Sequence, residues 1–317
     1  MQSANDSHGL PEGPTEGRFA AFRRTAGVDT AAENGVLWPQ KPAMLTGTGL
    51  VMRRLFLLLI ATASIGLQPR TARTLELQPH RAVYRMVLAS ASPSSDLVSA
   101  NGVMVYRFDR GCDGWTVENR TFLRLFYDDD TVSDTLWSFV SWESLDSRKF
   151  RFHARYDQDG KTVELLEGDA DLHGPGKAGK ARFSQPGQEV RLPAGTVFPT
   201  KHLQEVIAAA AAGGHRLKSI VFDGASIDNP YVVSSLFGAV APAAAQAMAT
   251  QLHLPLAPAW KAQMAFFPLN SRDAAPQLEM TGEYRADGIA DALIQHFDAF
   301  SLDIRLREIQ LLTPPDC

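Results

Sequence analysis

The sequence predicts a mainly β fold, an antiparallel meander carrying one or two short helices, and three observations predict it. Lys149-Phe150-Arg151-Phe152-His153-Ala154-Arg155-Tyr156 alternates strictly, with basic side chains on one side and aromatic or small ones on the other, which is the period of a half-buried strand. Ser301-Leu302-Asp303-Ile304-Arg305-Leu306-Arg307 repeats that alternation near the C-terminus. Around these runs turn signals fall at the short intervals of all-β domains, and only Lys201 to Ala212 has a clear helical period.

The elements follow in order. Ala82 to Leu88 puts Ala82, Tyr84, Met86 and Leu88 on one face of a strand. Pro93 to Asp96 makes a loop, Val103 to Phe108 resumes the alternation, and Asp109 to Gly114 turns the chain into a long strand from Trp115 to Tyr127. Asp128-Asp129-Asp130 reads as a hairpin tip, because the spaced ligands and distal Glu of a calcium loop are missing. A strand from Thr131 to about Trp142 follows, then the run at Lys149, a turn at Asp157-Gln158-Asp159-Gly160 and a strand from Val163 to Leu172. His173 to Gly176 breaks the chain, and Leu192 to Pro199 bends it. Thr200 reads as the N-cap of a helix from Lys201 to Ala212, with Leu203, Val206, Ile207 and Ala210 as its apolar stripe and Gly213-Gly214 as its stop. Strands resume at Leu217 to Phe222 and from Tyr231 to about Val240; Pro242 to Leu252 is either a short helix or a loop; Trp260 to Phe267, Leu278 to Tyr284, Ile289 to Phe297 and Phe300 to Leu312 complete the set.

The N-terminal region is of another kind. Met52-Arg53-Arg54 is a basic stretch, Leu55 to Ala61 a short apolar run, and Ala61-Thr62-Ala63 a small-x-small cleavage site, the three parts of a secretion signal. The run from Leu55 to Leu67 is too short for the roughly 20 residues of a spanning helix. The expected organisation is therefore a mis-assigned or disordered extension at 1–51, a signal peptide at 52–66, and a single β domain at 75–317 with no transmembrane helix in the mature protein. No cysteine follows the small residues Ala61 to Gly66, so a lipid attachment signal is absent.

Composition excludes several classes. A formal charge of −4 without a basic block argues against nucleic acid as partner. No pair of the eight histidines has the spacing of a zinc protease helix, and no phosphate loop, dinucleotide fingerprint or Gly-x-Ser-x-Gly elbow is present, so neither a metal nor a cofactor nor a catalytic residue is assigned. The close carboxylates Asp109 and Asp113, or Asp169 and Asp171, are pairs that a β-rich domain provides by chance. Export gives the two cysteines, Cys112 and Cys317, a meaning: in an oxidising compartment such a pair is more often a disulfide than a metal or redox site. The abundant aromatic residues suit a core, and equally a curled sheet whose concave face holds a lipid chain or a partner segment. On that reading Trp115, Trp137, Trp142 and His202 are the candidate ligand- or partner-facing residues.

Five stretches carry a resemblance. Leu77 to Tyr84, Cys112-Asp113-Gly114-Trp115, Leu192 to His202, Val221-Phe222-Asp223-Gly224 and the terminal Cys317 together resemble the EipB family, alphaproteobacterial periplasmic proteins of cell-envelope integrity. The resemblance covers about Leu75 to Cys317. It implies an antiparallel β-spiral, an open, overlapping, barrel-like sheet of a dozen or more strands, with a disulfide between Cys112 and Cys317, and it brings no catalytic residues. Two departures stand out: the residues before Met52, and His296-Phe297, where the family leads one to expect Asp-Tyr. The functional expectation is a periplasmic, non-enzymatic protein that maintains the envelope under stress and works with other envelope proteins. The alternatives are a lipid or lipoprotein carrier with an apolar cavity and, further off, a hydrolase of envelope material.

Overall fold

The computed structural model describes residues 76–317 apart from 175 and 273. The extension and the signal-peptide reading lie outside the described residues. Eight strands come first: β1 (His80–Ala91), β2 (Leu97–Arg110), β3 (Gly114–Tyr127), β4 (Val132–Ser144), β5 (Lys149–Gln158), β6 (Lys161–Leu172), β7 (Gly179–Gln185) and β8 (Gln188–Leu192). The two-residue β9 (Thr196–Val197) leads into helix α1 (Pro199–Ala211), then β10 (Arg216–Val221), β11 (Tyr231–Ala239) and helix α2 (Pro242–Leu252). β12 (Ala259–Pro268), β13 (Leu278–Arg285), β14 (Ala290–His296) and β15 (Phe300–Leu311) close the series.

All fifteen strands form one sheet in the order β8-β7-β6-β5-β4-β3-β2-β1-β15-β14-β13-β12-β11-β10-β9. Each arm is built of consecutive strands, and β1 pairing antiparallel with β15, His80 opposite Leu311, joins the arms. The two outermost strands, β8 and β9, are separated by Pro193, Ala194 and Gly195 alone, so the sheet is wound until its ends lie side by side. Gly195 takes a φ of 87° in that turn, a conformation that costs a residue with a Cβ. This is the mainly β, overlapping, barrel-like form the resemblance implied.

Period-two alternation sorts the side chains as the sequence does. In β5 the burial runs exposed, buried, exposed, buried from Lys149, with Phe150, Phe152 and Ala154 inside. In β15 Leu302, Ile304 and Leu306 are buried. The interior is filled in regions. One cluster joins β1, β2, β3 and β15 to Met248 and Leu252 of α2, and another packs Val206 and Ala210 of α1 on β10 to β13. A small third cluster seats Ile207 of α1 on Leu77, Phe108 and Trp115.

The fourth cluster knits the two arms. Phe150, Phe152 and Phe183 come from β5 and β7; Phe198 and Phe222 come from either side of the α1 crossover. Ring centroids of Phe150 and Phe198 are 5.1 Å apart, and those of Phe152 and Phe222 are 5.7 Å apart. Each such buried ring contributes about 2 kcal/mol from its area, and each aromatic pair about 1 kcal/mol more.

Two details differ from the sequence reading, and one left open is resolved. α1 begins at Pro199, with Phe198 at the N-cap position and no side-chain cap of its own, so Thr200 is the second helical residue rather than the cap. Proline fits the first turn because its missing N–H would have no helical partner there. β7 and β8 form a hairpin where the sequence reading assigns no strand. Pro242 to Leu252 resolves as a helix, ended by His253 at a φ of 56°. Asp128 to Asp130 forms the β3–β4 hairpin tip, with Asp129 accepting the N–H of Thr131 at 2.9 Å.

Candidate functional site

The ends of the sheet meet over α1, and the site is built from that crossover. β9 runs parallel to β10, with Thr196 opposite Ile220 and Val197 opposite Val221, and parallel neighbours need a crossover between them. α1 is that crossover. Its C-terminus closes through Gly213 at a φ of 81°, with the N–H of Gly214 donated to the carbonyl of Ala209 at 2.9 Å. At its N-terminus the free amides of Thr200 and Lys201 donate to the carboxylate of Glu143, at 2.7 and 3.1 Å.

Glu143 is the last inward-facing residue of β4 before the turn and is 2% exposed. A buried carboxylate is costly without partners, and a helix N-terminus supplies both N–H groups and the positive end of a dipole. Burial pushes its carboxyl above the ordinary range, while the amides of Thr200 and Lys201 pull it back down. Glu143 thereby does for α1 what no residue of α1 does: it caps the helix from the opposite arm of the sheet.

His202 lies one residue further along, buried, with its Nε2 lacking a hydrogen-bond partner among the described residues. Burial lowers its pKa to about 4, so the ring is neutral at neutral pH. Above α1 and β10 opens a pocket of about 570 Å³, lined among others by Asp146, Ser147, Thr196, Lys201, Glu205 and Lys218. Lys201 pairs with Glu205 at 3.7 Å, and a hydrogen bond from the Ser144 hydroxyl, at 2.6 Å, holds the Asp146 carboxyl below its usual range. His202 is not among the residues lining this pocket. The pocket presents charges of both signs, and Ser147 on its lining also hydrogen-bonds the buried Glu143 carboxylate.

The four residues picked out by sequence do not converge. Trp115 is buried, stacked on Phe108 at 4.9 Å with the Arg110 guanidinium 5.5 Å over its ring. Trp137 is half-buried on the inner wall and stacks on Phe139 at 5.4 Å. Trp142 faces outward, beneath Arg151 at 5.3 Å, in a groove of about 640 Å³ that also holds His153, Glu167, Asp169 and Arg182. Cys112, in the β2–β3 turn, is joined by a disulfide to Cys317, with their Cα atoms 5.6 Å apart. Asp109 pairs with Arg107, not with Asp113. Among the described residues no three His, Cys, Asp or Glu side chains gather as a metal site, and no helix is long and apolar enough to cross a membrane.

Glu143 is what sequence reasoning missed. Its signal was parity: Phe139, Ser141 and Glu143 alternate on the buried face of β4, so a carboxylate at the third position had to find donors inside.

Comparisons with known proteins agree with this architecture. The family model described as EipB-like matches residues 71–313. The cell envelope integrity protein EipB of Brucella abortus (strain 2308) is 33% identical over 165 residues, which are 52% of this chain and 58% of that protein. The chain thus spans little more than half the length of that curated relative. The crystal structure of a beta-barrel-like protein of a domain of unknown function from Brucella abortus superposes with a TM-score of 0.68 at 24% identity, over 75% of this chain and 99% of that one.

Proposed function

This chain belongs to the EipB-like family, and from that membership we propose that it is an exported, periplasmic, non-enzymatic protein that maintains the cell envelope under stress. The observation that carries the reading is the family match across 71–313, together with a disulfide that suits an oxidising compartment. The organisation follows: a cleaved signal at 52–66 and a single functional domain at 75–317. A structural rather than chemical role is supported by the crossover, where the buried Glu143 carboxylate engages the first amides of α1. The test is complementation in an alphaproteobacterium deleted for its own copy. The wild type restores growth under envelope stress, and His202→Ala restores it equally; a wild type that fails to restore growth refutes the envelope role, and failure of a folded His202→Ala refutes the non-enzymatic one.

A second reading, a carrier of lipid or lipoprotein chains, is favoured by the inner wall. Tyr106, Trp137 and Trp260 pack against the apolar clusters yet are only half-buried. Native mass spectrometry of protein purified under mild conditions finds a bound acyl chain on this reading, and an unliganded mass counts against it.

A further inference from the structure

The outer face of β1 to β4 carries a row of apolar side chains that the core does not use. Val103, Phe122 and Leu136 stand directly opposite one another across β2, β3 and β4 and are 45%, 42% and 41% exposed. Scattered exposed apolar residues are ordinary on a protein surface, but three in cross-strand register make a continuous stripe about 10 Å wide. The row continues through Arg85 on β1, opposite Val103, and the neighbouring row holds Val83, Val105 and Arg120 in register.

The charges on this face are unevenly placed. Two of its acids and two on the flanking strands β5 and β15 already hold partners: Asp109 with Arg107, Asp134 with Arg124, Asp157 with Arg155, and Asp303 with Arg305. Arg81, Arg85 and Arg120, with Arg307 of the flanking β15, are exposed and have no ion pair among the described residues; the unpaired carboxylates are Glu118, Glu308 and, at the β3–β4 tip six or more residues along from Phe122, Asp128, Asp129 and Asp130, whereas Arg85 and Arg120 adjoin the apolar rows. The stripe is therefore framed by unneutralised guanidinium groups on a chain whose formal charge is −4.

We propose that this face docks on an anionic phospholipid surface, with Phe122, Leu136 and Val103 entering the headgroup boundary and Arg85 and Arg120 meeting lipid phosphates. Apolar insertion and electrostatic attraction to anionic lipid add in interfacial binding, and guanidinium groups suit phosphate oxygens geometrically. A second copy of the chain is the poorer occupant, because a symmetric contact would set the unpaired arginines of one copy against those of the other. The face is distant in role from the α1 crossover, and the binding stands or falls independently of the envelope function.

The experiment is co-sedimentation of the purified, oxidised protein with vesicles of phosphatidylglycerol and phosphatidylcholine, against vesicles of phosphatidylcholine alone. The wild type sediments with the anionic vesicles and is released as salt rises. Arg85→Ala with Arg120→Ala weakens partitioning about 30-fold, from the loss of two near-surface charges. Phe122→Ser with Leu136→Ser weakens it while circular dichroism stays native. Absence of binding to anionic vesicles, equal binding to neutral ones, or binding unaltered in both variants overturns the proposal. So does a wild-type dimer in analytical ultracentrifugation that Phe122→Ser with Leu136→Ser converts to monomer.

Discussion

Replacing Glu143 tests whether α1 is held from across the sheet. Glu143→Ala leaves the amides of Thr200 and Lys201 without acceptors, and Thr200 is 5% exposed, so water does not readily replace the carboxylate there. An unsatisfied buried amide costs about 1–3 kcal/mol, and the relief of no longer burying a charge offsets part of the pair, leaving a net loss of about 3 kcal/mol. With a urea m-value of about 3 kcal/mol/M, the unfolding midpoint falls by about 1 M. Glu143→Gln keeps one acceptor and loses about half as much. Hydrogen exchange of the α1 amides reads the cause directly: protection falls there more than in β1 or β15. A Glu143→Ala midpoint equal to that of the wild type, with α1 still protected, refutes the cap.

Three further predictions follow from the same contacts. His202 has a folded-state pKa of about 4 against 6.5 when unfolded, so the unfolded chain binds the extra proton and stability falls as pH drops from 6.5 to 4, by about 3 kcal/mol in all. Glu143, raised by burial, titrates with the opposite sign, so the measurement is the difference in urea midpoints between wild type and His202→Leu across that window, which the variant flattens. Cys112→Ser opens a loop spanning 205 residues in sequence and lowers stability by about 5 kcal/mol on the chain-entropy account; an equal urea midpoint for oxidised wild type and variant contradicts it. Gly224→Ala places a Cβ 2.3 Å from the Phe152 ring at a φ of 69°, and thermal unfolding by circular dichroism shows a loss of about 2 kcal/mol or more, with wild-type melting as the contrary result.

Much of the fold was legible because alternation survives wherever one face of a strand is buried. β5 and β15 show it in full, and their sides are read directly from the sequence. β7 and β8 were not legible: of their twelve residues only Ala181, Phe183 and Leu192 are buried, so Lys180, Arg182 and Glu189 dominate the local pattern. β9 is two residues long and takes its identity from pairing with β10, which no local pattern encodes. The crossover was harder still. Period two tells on which face a side chain lies but not which element of the other arm it meets, so Trp115, Trp137 and Trp142 scatter, and the cap on α1 comes from a residue 57 positions before Thr200. His202 reads as a ligand- or partner-facing candidate in the sequence, yet it is buried, because burial depends on what packs over its helix.

The winding has a consequence for the order in which the molecule is completed. Thirteen of the fourteen neighbouring strand pairs link consecutive strands or span a single crossover or turn, and each arm needs little more than its own sequence to assemble. The exception is β1 with β15, and it waits for the last strand of the chain. The extended tail then runs past β1, where the N–H of Leu312 reaches the carbonyl of Pro79 at 2.8 Å, before Cys317 meets Cys112. In a polypeptide delivered N-terminus first, the bond can form only once Cys317, beyond β15, has arrived. The disulfide therefore comes after every strand is available, and it secures the closure that the β1–β15 pairing makes.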